Sequence, residues 1–387
     1  MENKKIGIAT VYTGYNYGSA LQAYATKEIL NRMGYTAELL KLRGSLLPGL
    51  DVRLKKLLTI AARSLLYKGG TKNLQNYSTS IRKALSAETK DKCDAFTAEI
   101  LQPKIVSYSA LKKTAHSDAY TAFVCGSDQI WNAAVFYVDP FYYLQFAPVE
   151  KRIAFAPSFG RETIPDYNKK KIAKYVSQIP YKSVREASGA DIVRELSGDT
   201  ADVLLDPTLV LSAPEWTEKL NLHTSHEEKY LFAYFLDAPS ERAVQAVLAI
   251  SKKYGLQVIG LPYTFDNLPW KDAVVSAGPR EFVAYVKNAS FVCTDSFHGT
   301  AFCLNYKVPF YTFERNYGNA SKQSARIESI LNLVELPERY EPQNTANALN
   351  ISFETANTIL SYEREKSKQY LQTCLGQPQQ TKITVLK

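Results

Sequence analysis

The opening of the chain alternates between strand-like and helix-like segments, and this alternation restricts the fold more than any other feature. The segments KKIGIATVY (4–12) and TAELLKL (36–42) are short and apolar, as β-strands are. Between them, apolar residues recur on one face of a helix: Leu21, Tyr24, Ala25, Ile29 and Leu30. Strand, helix, strand is a typical beginning of a parallel α/β sheet, because parallel strands need a crossover connection that is usually helical.

The alternation continues in two series. Before Pro214, four more segments are predicted to contain strands: AYTAFVCGS, RIAFAPSFG, KSVREAS and ADVLLDPTL. From residue 228 the predicted elements are KYLFAYFL, a helix at Glu241–Tyr254, LQVIGL, AVVSA, EFVAYVKNA, SFVCTDS and VPFYTFE. We therefore predict two doubly wound, Rossmann-like α/β domains, residues 1–214 and 228–350. Ligands are expected in the interdomain cleft, at the carboxyl ends of the strands.

Length and composition agree with this plan. A chain of 387 residues suits two domains, and a hydrophobic content of 45% supplies their cores. Residues 351–387 are predicted to form a final helix, with Ser352 as N-cap and Gly376 as C-cap, and a polar tail. We expect no signal peptide and no membrane span, since no run approaches the ~20 apolar residues that a span needs. The five cysteines include no C-x-x-C pair, which favours reduced thiols and a cytoplasmic protein.

The net charge of +9 is uneven along the chain. Ten basic residues and only three acidic ones lie between Lys27 and Lys72. Within this region, DVRLKKLLTIAARSLLYK (51–68) predicts a basic amphipathic helix. It suits peripheral contact with the anionic inner face of a membrane. Alternatively, its leucines pack on its own domain and its lysines are solvated.

The segment YNYGSALQ (15–22) joins the first strand to the first helix. Gly18 and Ser19 place small residues at a helix N-terminus, where free N–H groups favour an anion. The alternative is an ordinary turn with Ser19 as N-cap. Because neither G-x-G-x-x-G nor G-x-x-x-x-G-K-[ST] occurs there, we expect no dinucleotide cofactor.

Polar residues also follow the strand that ends in VCGSDQIWN (124–132). Asp128 and Asn132 suit hydrogen bonds to sugar hydroxyls, and Trp131 suits stacking on a pyranose ring. The alternative is a capped helix start with a core tryptophan. Further along, Arg185 in SVREAS can bind phosphate or carboxylate in a bidentate manner. Its alternative is a surface charge pair with Glu186, which would be worth little.

The last motif, TDSFHGT (294–300), combines a strand end with a histidine. His298 can act as an acid or base near pH 7, and Asp295 is close enough in sequence to orient it. The remaining histidines, His116, His223 and His226, lie in polar segments and are expected to be solvated. Asp128, Asp206 and Asp295 can approach one another, but no ligand spacing demands a metal.

In this order, NYGSALQ, GSDQIWN, SVREAS, DPTL (206–209) and TDSFHGTAF resemble the polysaccharide pyruvyl transferase family over about residues 5–315. The resemblance implies two domains arranged as in GT-B glycosyltransferases. It also implies transfer of a pyruvyl group from phosphoenolpyruvate to two hydroxyls of a sugar, forming a cyclic ketal without a separate cofactor. The acceptor would be a sugar or lipid-linked oligosaccharide in a precursor of a surface polysaccharide or cell-wall polymer.

Carried onto this sequence, the resemblance makes His298 the general acid and Arg185 a donor ligand. With the residue arguments above, it assigns three sets. The catalytic set is His298, Asp295 and Asp128. The donor-binding set is Arg185, Gly18, Ser19, Ser296, Gly299 and Thr300. The acceptor-binding set is Asn16, Tyr17, Ser127, Gln129, Trp131 and Asn132.

One departure bears on the donor. Several family members carry arginine two residues before the histidine, and this chain has Ser296 there. The cations that could replace this arginine are Arg280, Lys307, Arg315 and Arg326. Two alternative functions remain: a GT-B nucleotide-sugar glycosyltransferase, or a non-catalytic protein that binds polysaccharide or nucleic acid. For the pyruvyl transferase itself, we expect no nucleic-acid partner.

Overall fold

The computed structural model describes residues 4–45, 53–66, 85–222, 229–261, 268–315 and 325–376. Its strands are β1 (Lys5–Ala9), β2 (Thr36–Leu42), β3 (Lys104–Val106), β4 (Ala122–Cys125), β5 (Arg152–Ala154), β6 (Ser183–Val184), β7 (Asp202–Val203), β8 (Tyr230–Tyr234), β9 (Gln257–Gly260), β10 (Phe291–Thr294) and β11 (Phe310–Thr312). Its α-helices are α1 (Tyr17–Arg32), α2 (Leu54–Leu66), α3 (Ala87–Phe96), α4 (Tyr108–Ala115), α5 (Asp166–Val176), α6 (Ala187–Ser197), α7 (Pro207–Val210), α8 (Ala213–Leu220), α9 (Glu241–Tyr254), α10 (Pro279–Asn288), α11 (Phe297–Tyr306), α12 (Ala325–Leu333) and α13 (Glu354–Cys374).

The first sheet has five parallel strands in the order β3-β2-β1-β4-β5. All four residues of β4 and the last four residues of β1 are buried. Strands with helices on both faces are apolar along their length for this reason. The strand order reverses between β1 and β4, and such a switch point opens a crevice at the carboxyl ends of the strands.

The second sheet has four parallel strands in the order β11-β10-β8-β9. Its order reverses between β8 and β10. The helix α9 matches the predicted bounds, with Ser240 as N-cap and left-handed Gly255 after its last turn. Two parallel sheets with crossover helices confirm the predicted α/β, Rossmann-like fold class.

The two sheets share one hydrophobic cluster, and each sheet also has a cluster of its own on its other face. Ile8 of β1, Phe232 of β8 and Val292 of β10 belong to the same cluster of buried residues. The ring of Tyr17 on α1 stacks on Phe282 of α10, with centroids 5.4 Å apart. These contacts hold the carboxyl ends of both sheets toward a common cleft.

The last helix returns to the first sheet. Tyr370 on α13 donates a hydrogen bond to the carbonyl of Ala154 in β5, and Arg364 donates to the carbonyl of Leu209. The helix begins at Glu354 and Gly376 follows it with a left-handed backbone, close to the predicted ends. The domain limits at residues 214, 228 and 350 stay predictions, and α8 runs across the first of them.

Three details differ from the sequence analysis. The segment AVVSA is not a strand, because Val274 makes only an isolated bridge to Gly260. KSVREAS and ADVLLDPTL contain β6 and β7, but these pair with each other in a separate two-stranded sheet. The outer strand β3 was not predicted, because its three residues are too few to give a pattern. His223, His226, the ends of the 51–68 helix and the tail after 376 lie outside the described residues.

Candidate active site

Segments that follow four separate strands meet at one point of the cleft. The loop after β1 leads into α1, Asp128 follows β4, Arg185 follows β6, and α11 follows β10. His298 is the second residue of α11. The sequence therefore delivers its polar motifs to the switch point, where parallel strands end at the same edge of the sheet.

Gly18 provides the space that His298 occupies. A Cβ atom at Gly18 would lie 2.0 Å from Nδ1 of the imidazole, so any larger residue would displace the ring. Gly18 lies in the first turn of α1, which is capped by Asn16, whose Oδ1 accepts a hydrogen bond from the Ser19 N–H. The N-termini of α1 and α11 thus converge at the histidine, and both favour negative charge there.

A buried ion pair lies beside the histidine. Arg185 donates from Nη1 to Oδ2 of Asp206 at 2.7 Å, and both side chains are almost completely buried. The other carboxylate oxygen of Asp206 accepts hydrogen bonds from the N–H and hydroxyl of Thr208. Nε2 of His298 lies 3.8 Å from Asp206 Oδ2. Asp206 thereby fixes the arginine and lies close to the imidazole.

Asp128 is the second carboxylate of the cluster. Its Oδ2 accepts a hydrogen bond from the Ser19 hydroxyl at 2.5 Å, and its Oδ1 accepts one from the N–H of Gln129. Its Oδ1 is also 4.0 Å from Nη2 of Arg185. The backbone of Asp128 is left-handed, with φ of 63°, and its side chain is buried. Arg185 is thus flanked by two carboxylates.

Three donor atoms of this cluster have no hydrogen-bond partner among the residues described. They are Nε and Nη2 of Arg185 and Nε2 of His298. The guanidinium of Arg185 lies 4.4 Å from the ring centre of Phe297, which covers it on one side. Leaving buried donors without acceptors is costly, so a ligand with acceptor oxygens is the expected partner.

The charges of the cluster act on one another. Burial is the main influence on the pKa of His298 and lowers it below its usual range. The carboxylates of Asp206 and Asp128 oppose this lowering, and the positive charges of Arg185 and Arg326 add to it. Burial raises the pKa of Asp206, but the positive charges of protonated His298 and of Arg185 outweigh it and bring the pKa to about 2. Without a ligand, a neutral imidazole therefore lies between an arginine and two carboxylates.

A cavity of about 140 Å³ opens beside the cap of α1. It is lined on one side by the loop after β1, including Tyr12, Tyr15 and Asn16, and on another by Asp94 of α3. Pro279 of α10 also lines it, so both halves of the molecule contribute. Its aromatic rings, carboxylate and amide are groups that bind sugars.

The family model of polysaccharide pyruvyl transferases matches residues 16–317, which contain every member of the cluster. The chain belongs to the polysaccharide pyruvyl transferase family. No curated protein is significantly similar to it.

Solved structures resemble this family member only distantly. UDP-GlcNAc 2-epimerase from Neisseria meningitidis, bound to UDP-GlcNAc, is 13% identical, with a TM-score of 0.46 and coverage of 94% of this chain and 100% of that one. The glycosyltransferase SnogD from Streptomyces nogalater is 11% identical, with a TM-score of 0.45 and coverage of 97% and 100%.

Asp206 is the member of the cluster that the sequence analysis did not assign. Its segment, DPTL, entered the sequence analysis only as part of the family resemblance. In the structure Asp206 is the N-cap of α7. Its hydrogen bond with Arg185 joins two segments that are distant in sequence, so no local pattern could predict it. The alternative of a surface charge pair between Arg185 and Glu186 is wrong. Both residues are buried, and Glu186 accepts hydrogen bonds from the Ser158 hydroxyl and the N–H of Phe159.

Four of the predicted acceptor residues have structural partners instead. Trp131 is fully buried, its ring stacks on Tyr143, and its Nε1 donates to a carbonyl, so it cannot stack on a sugar. Tyr17 is also buried, and its hydroxyl donates to the carbonyl of Ala277. Ser127 is enclosed next to Asp206, with its Oγ 2.9 Å from Oδ2. Oδ1 of Asn132 accepts from the N–H of Ala134 and closes a turn.

The remaining two predicted acceptor residues have different positions. Asn16 caps α1 and lines the cavity, so it stays a candidate. Gln129 is half-buried, and its side chain packs over Gly160. A Cβ atom added to Gly160 would lie 2.6 Å from Nε2 of Gln129.

The motif around His298 is also used differently from the prediction. Asp295 does not orient His298: its carboxylate accepts from the N–H groups of Leu236 and Asp237 and pairs with Arg315. Ser296 is the N-cap of α11.

Two small residues of this motif face the protein interior. Gly299 has Thr294 against it, since an added Cβ would lie 2.7 Å from Thr294 Oγ1. Thr300 is fully buried and its hydroxyl donates to the carbonyl of Ser296. Gly299 thus allows α11 to pack closely on β10, and Thr300 packs against Thr312 of β11, so both positions serve packing and not direct contact with a ligand.

Of the four cations that could replace the missing arginine, Arg326 is the one whose charge acts on the cluster. It lowers the pKa values of both His298 and Asp128. Arg315 pairs with Asp295 and Asp237, while Arg280 and Lys307 are exposed. Arg326 lies in the first turn of α12, a helix that packs on α11.

Two further observations concern metals and membranes. Across the described ranges, no group of three or more His, Cys, Asp or Glu residues is placed to hold a metal ion. Among the helices of those ranges, none combines the length and apolar character that crossing a bilayer requires.

Proposed function

We propose that this protein transfers a pyruvyl group from phosphoenolpyruvate to two hydroxyls of a sugar, forming a cyclic ketal. The observation that carries the proposal is the set of unpartnered, buried donors: Nε and Nη2 of Arg185 and Nε2 of His298. Phosphoenolpyruvate presents acceptor oxygens on both a phosphate and a carboxylate. Such a small and strongly anionic frame suits donors that converge in a partly dry cleft.

In this proposal, Arg185 binds one anionic group of the donor, and the N-termini of α1 and α11 add their partial positive charge. Arg326 supplies the second cation from α12, in place of the arginine that Ser296 does not provide. Asp206 holds Arg185 in position through the 2.7 Å hydrogen bond to Nη1, leaving Nε and Nη2 for the ligand. The donor needs no redox cofactor and carries the transferred group itself.

His298 is the proposed general acid. Its imidazolium protonates the methylene carbon of phosphoenolpyruvate, and the resulting oxocarbenium-like carbon is attacked by one sugar hydroxyl. The carbon–oxygen bond to phosphate then breaks, phosphate leaves with the bonding electrons, and the second hydroxyl closes the ketal. Each hydroxyl gives up its proton: Asp128 is the proposed acceptor for the first and passes it to the departing phosphate, and the imidazole of His298, neutral after protonating the methylene carbon, accepts the second. General acid–base groups typically contribute ~10²–10⁴-fold to rate.

The lowered pKa of His298 is compatible with this role only when donor is bound. The free site holds the imidazole neutral because burial and two arginines disfavour its charge. Bound phosphoenolpyruvate adds negative charge beside the ring and raises the pKa of His298. Proton uptake is therefore coupled to donor binding, so the acid forms where it is needed.

The acceptor sugar is proposed to occupy the cavity of about 140 Å³ beside the α1 cap. Tyr12, Tyr15, Asn16 and Asp94 line this cavity and carry aromatic and hydrogen-bonding groups. We take the acceptor to be a sugar unit of a surface-polysaccharide or cell-wall precursor, including lipid-linked forms.

A second candidate is glycosyl transfer from a nucleotide sugar, and the neutral state of His298 favours it. A buried imidazole near a carboxylate can remove the proton from an acceptor hydroxyl as a general base. In that case the anion bound by Arg185 would be a diphosphate rather than phosphoenolpyruvate.

Titration calorimetry with the purified protein separates these functions. We expect saturable binding of phosphoenolpyruvate, weakened at least tenfold by Arg185→Ala and unaffected by Arg194→Ala, which removes an exposed arginine of α6. Phosphate release upon addition of acceptor oligosaccharides then identifies the acceptor. Binding of a UDP-sugar and none of phosphoenolpyruvate, with or without acceptor, would replace the proposal with the second candidate. Salt-sensitive binding of a polysaccharide without turnover would indicate a non-catalytic role.

A further inference from the structure

Helix α2 exposes four of its five leucines. Leu54, Leu58, Leu65 and Leu66 are 61%, 63%, 89% and 77% exposed. Ser64 is the buried residue of the helix. A surface helix ordinarily turns its apolar stripe toward the core, so α2 has the opposite orientation. Among the described residues, these four leucines do not pack on their own domain, although the helix itself is docked there and its Leu57 and Ile60 are half-buried.

The arginines on either side of this stripe dock the helix. Arg53 forms an ion pair with Asp139. Arg63 donates from Nη1 to the carbonyl of Phe136 at 3.0 Å and to Oδ1 of Asn168 at 2.8 Å. These contacts hold α2 against α5 and against the segment between β4 and β5. The outward direction of the leucines is thus fixed by hydrogen bonds.

Positive charge surrounds the exposed leucines. The segment 53–66 contains four basic residues and no acidic one. The neighbouring helix α5 contributes four lysines, and one of them, Lys171, lies close enough for its charge to interact with Lys55 and Arg63. Lys55 itself is exposed at the edge of the leucine stripe. An apolar stripe bordered by cations fits the interface of a lipid bilayer, where acyl chains lie beneath anionic headgroups.

We propose that α2 lies flat on an anionic lipid surface, with Leu54, Leu58, Leu65 and Leu66 at the acyl boundary and Lys55 and Lys171 at the headgroups. A second copy of the chain is a poorer occupant, because pairing two such faces would bring their positive charges together. The inference goes beyond the proposed reaction and does not depend on it. It would place the enzyme where lipid-linked sugars are found.

The test is co-sedimentation of the full chain with vesicles of phosphatidylcholine, with and without phosphatidylglycerol. We expect binding to the anionic vesicles that falls as salt is raised, and weak binding to the neutral ones. The double variant Leu58→Glu/Leu65→Glu should lose at least about tenfold in affinity, since each removes apolar burial and adds repulsion. The matched control is Leu248→Glu, which changes an exposed leucine on α9 and should bind as the wild type does.

Two results would overturn the proposal. One is failure to sediment with anionic vesicles at low salt, or equal binding by the double variant and the wild type. The other is a dimer in sedimentation velocity that dissociates in the double variant, which would assign the α2 face to a second copy. Calorimetry with phosphoenolpyruvate in the absence of vesicles tests the proposed reaction separately, so failure of one idea is distinguishable from failure of the other.

Discussion

The imidazole of His298 rests on Gly18, and the contact leaves no room for a side chain: a Cβ at residue 18 would lie 2.0 Å from Nδ1. The glycine belongs to the helix after β1 and the histidine to the helix after β10. Each residue is therefore positioned by a different sheet. The geometry of the proposed acid depends on how the two sheets are held together.

Gly18→Ala should reduce turnover by roughly 100-fold, because a displacement of about 1 Å in a reacting group has costs of that order. The fold should survive, since the ring can rotate toward the cleft. The measurement is kcat, with circular dichroism to check folding. The matched control is a double-mutant cycle: in a His298→Ala background, Gly18→Ala should have little further effect. Full additivity of the two changes would show that Gly18 acts independently of the histidine.

Asp206→Asn should lower the free energy of unfolding by about 3–5 kcal/mol at pH 7, because the buried Arg185 loses its hydrogen-bonded carboxylate and keeps only Asp128, 4.0 Å away. The pKa of Asp206 is lowered to about 2. A lowered carboxyl pKa contributes stability above the unfolded value near 4, and this contribution is lost as pH falls toward 2. The difference in the free energy of unfolding between wild type and variant should therefore become smaller as pH falls from about 4 to about 2. Chemical denaturation at several pH values measures it, and a gap independent of pH would contradict the assignment.

Donor binding should be accompanied by proton uptake near neutral pH. In the free protein the pKa of His298 is lowered, chiefly by burial, so the ring is neutral. Bound phosphoenolpyruvate raises that pKa, and the ring then takes a proton from buffer. Calorimetry in buffers with different ionisation enthalpies reports the number of protons. We expect an uptake that disappears in His298→Gln, and release or no exchange in the wild type would argue against the imidazolium acid.

Arg326→Ala should raise KM for the donor by about tenfold, the loss of one charge-assisted contact. The same change removes a positive charge that lowers the pKa of His298, so the pKa on the pH–rate profile should move upward. Arg280→Ala is the control, because Arg280 is exposed on α10. If KM and the pH profile are the same in both variants, Arg326 does not contribute to the donor site.

Trp131→Ala should destabilise the fold by about 3–5 kcal/mol and leave KM for the acceptor unchanged. The ring is fully buried and stacks on Tyr143, with centroids 5.2 Å apart. Kinetics are measured well below the unfolding temperature of the variant. A large rise in the acceptor KM of the folded variant would restore the sugar-stacking role that its burial excludes.

The sequence predicted the architecture well because strands and helices leave periodic signals. The bounds of β2 and α9 agree with the prediction residue for residue. Motifs at strand ends were also informative, since parallel strands bring their carboxyl ends together, and His298, Arg185 and Asp128 do meet. Periodicity is a property of the local sequence, and the meeting of strand ends follows from the parallel arrangement of the sheet.

Side-chain direction could not be obtained in the same way. Trp131 and Asp295 sit in polar motifs, yet one faces the core and the other binds the loop after β8. The pairing of Arg185 with Asp206 joins residues 21 positions apart, and nothing in either local segment specifies it. Packing of distant elements decides which member of a polar motif faces the cleft.

The common core beneath the two sheets has a consequence for how the molecule responds to heat and to ligands. Residues of β1, β8 and β10 are buried in one cluster, and α13 is bonded back to β5. The halves should therefore melt in a single cooperative transition, and a fragment that ends before α13 should not fold. Hinge closure of the kind that many two-lobed enzymes use is correspondingly restricted, so selectivity would come from a preformed recess and small shifts of side chains.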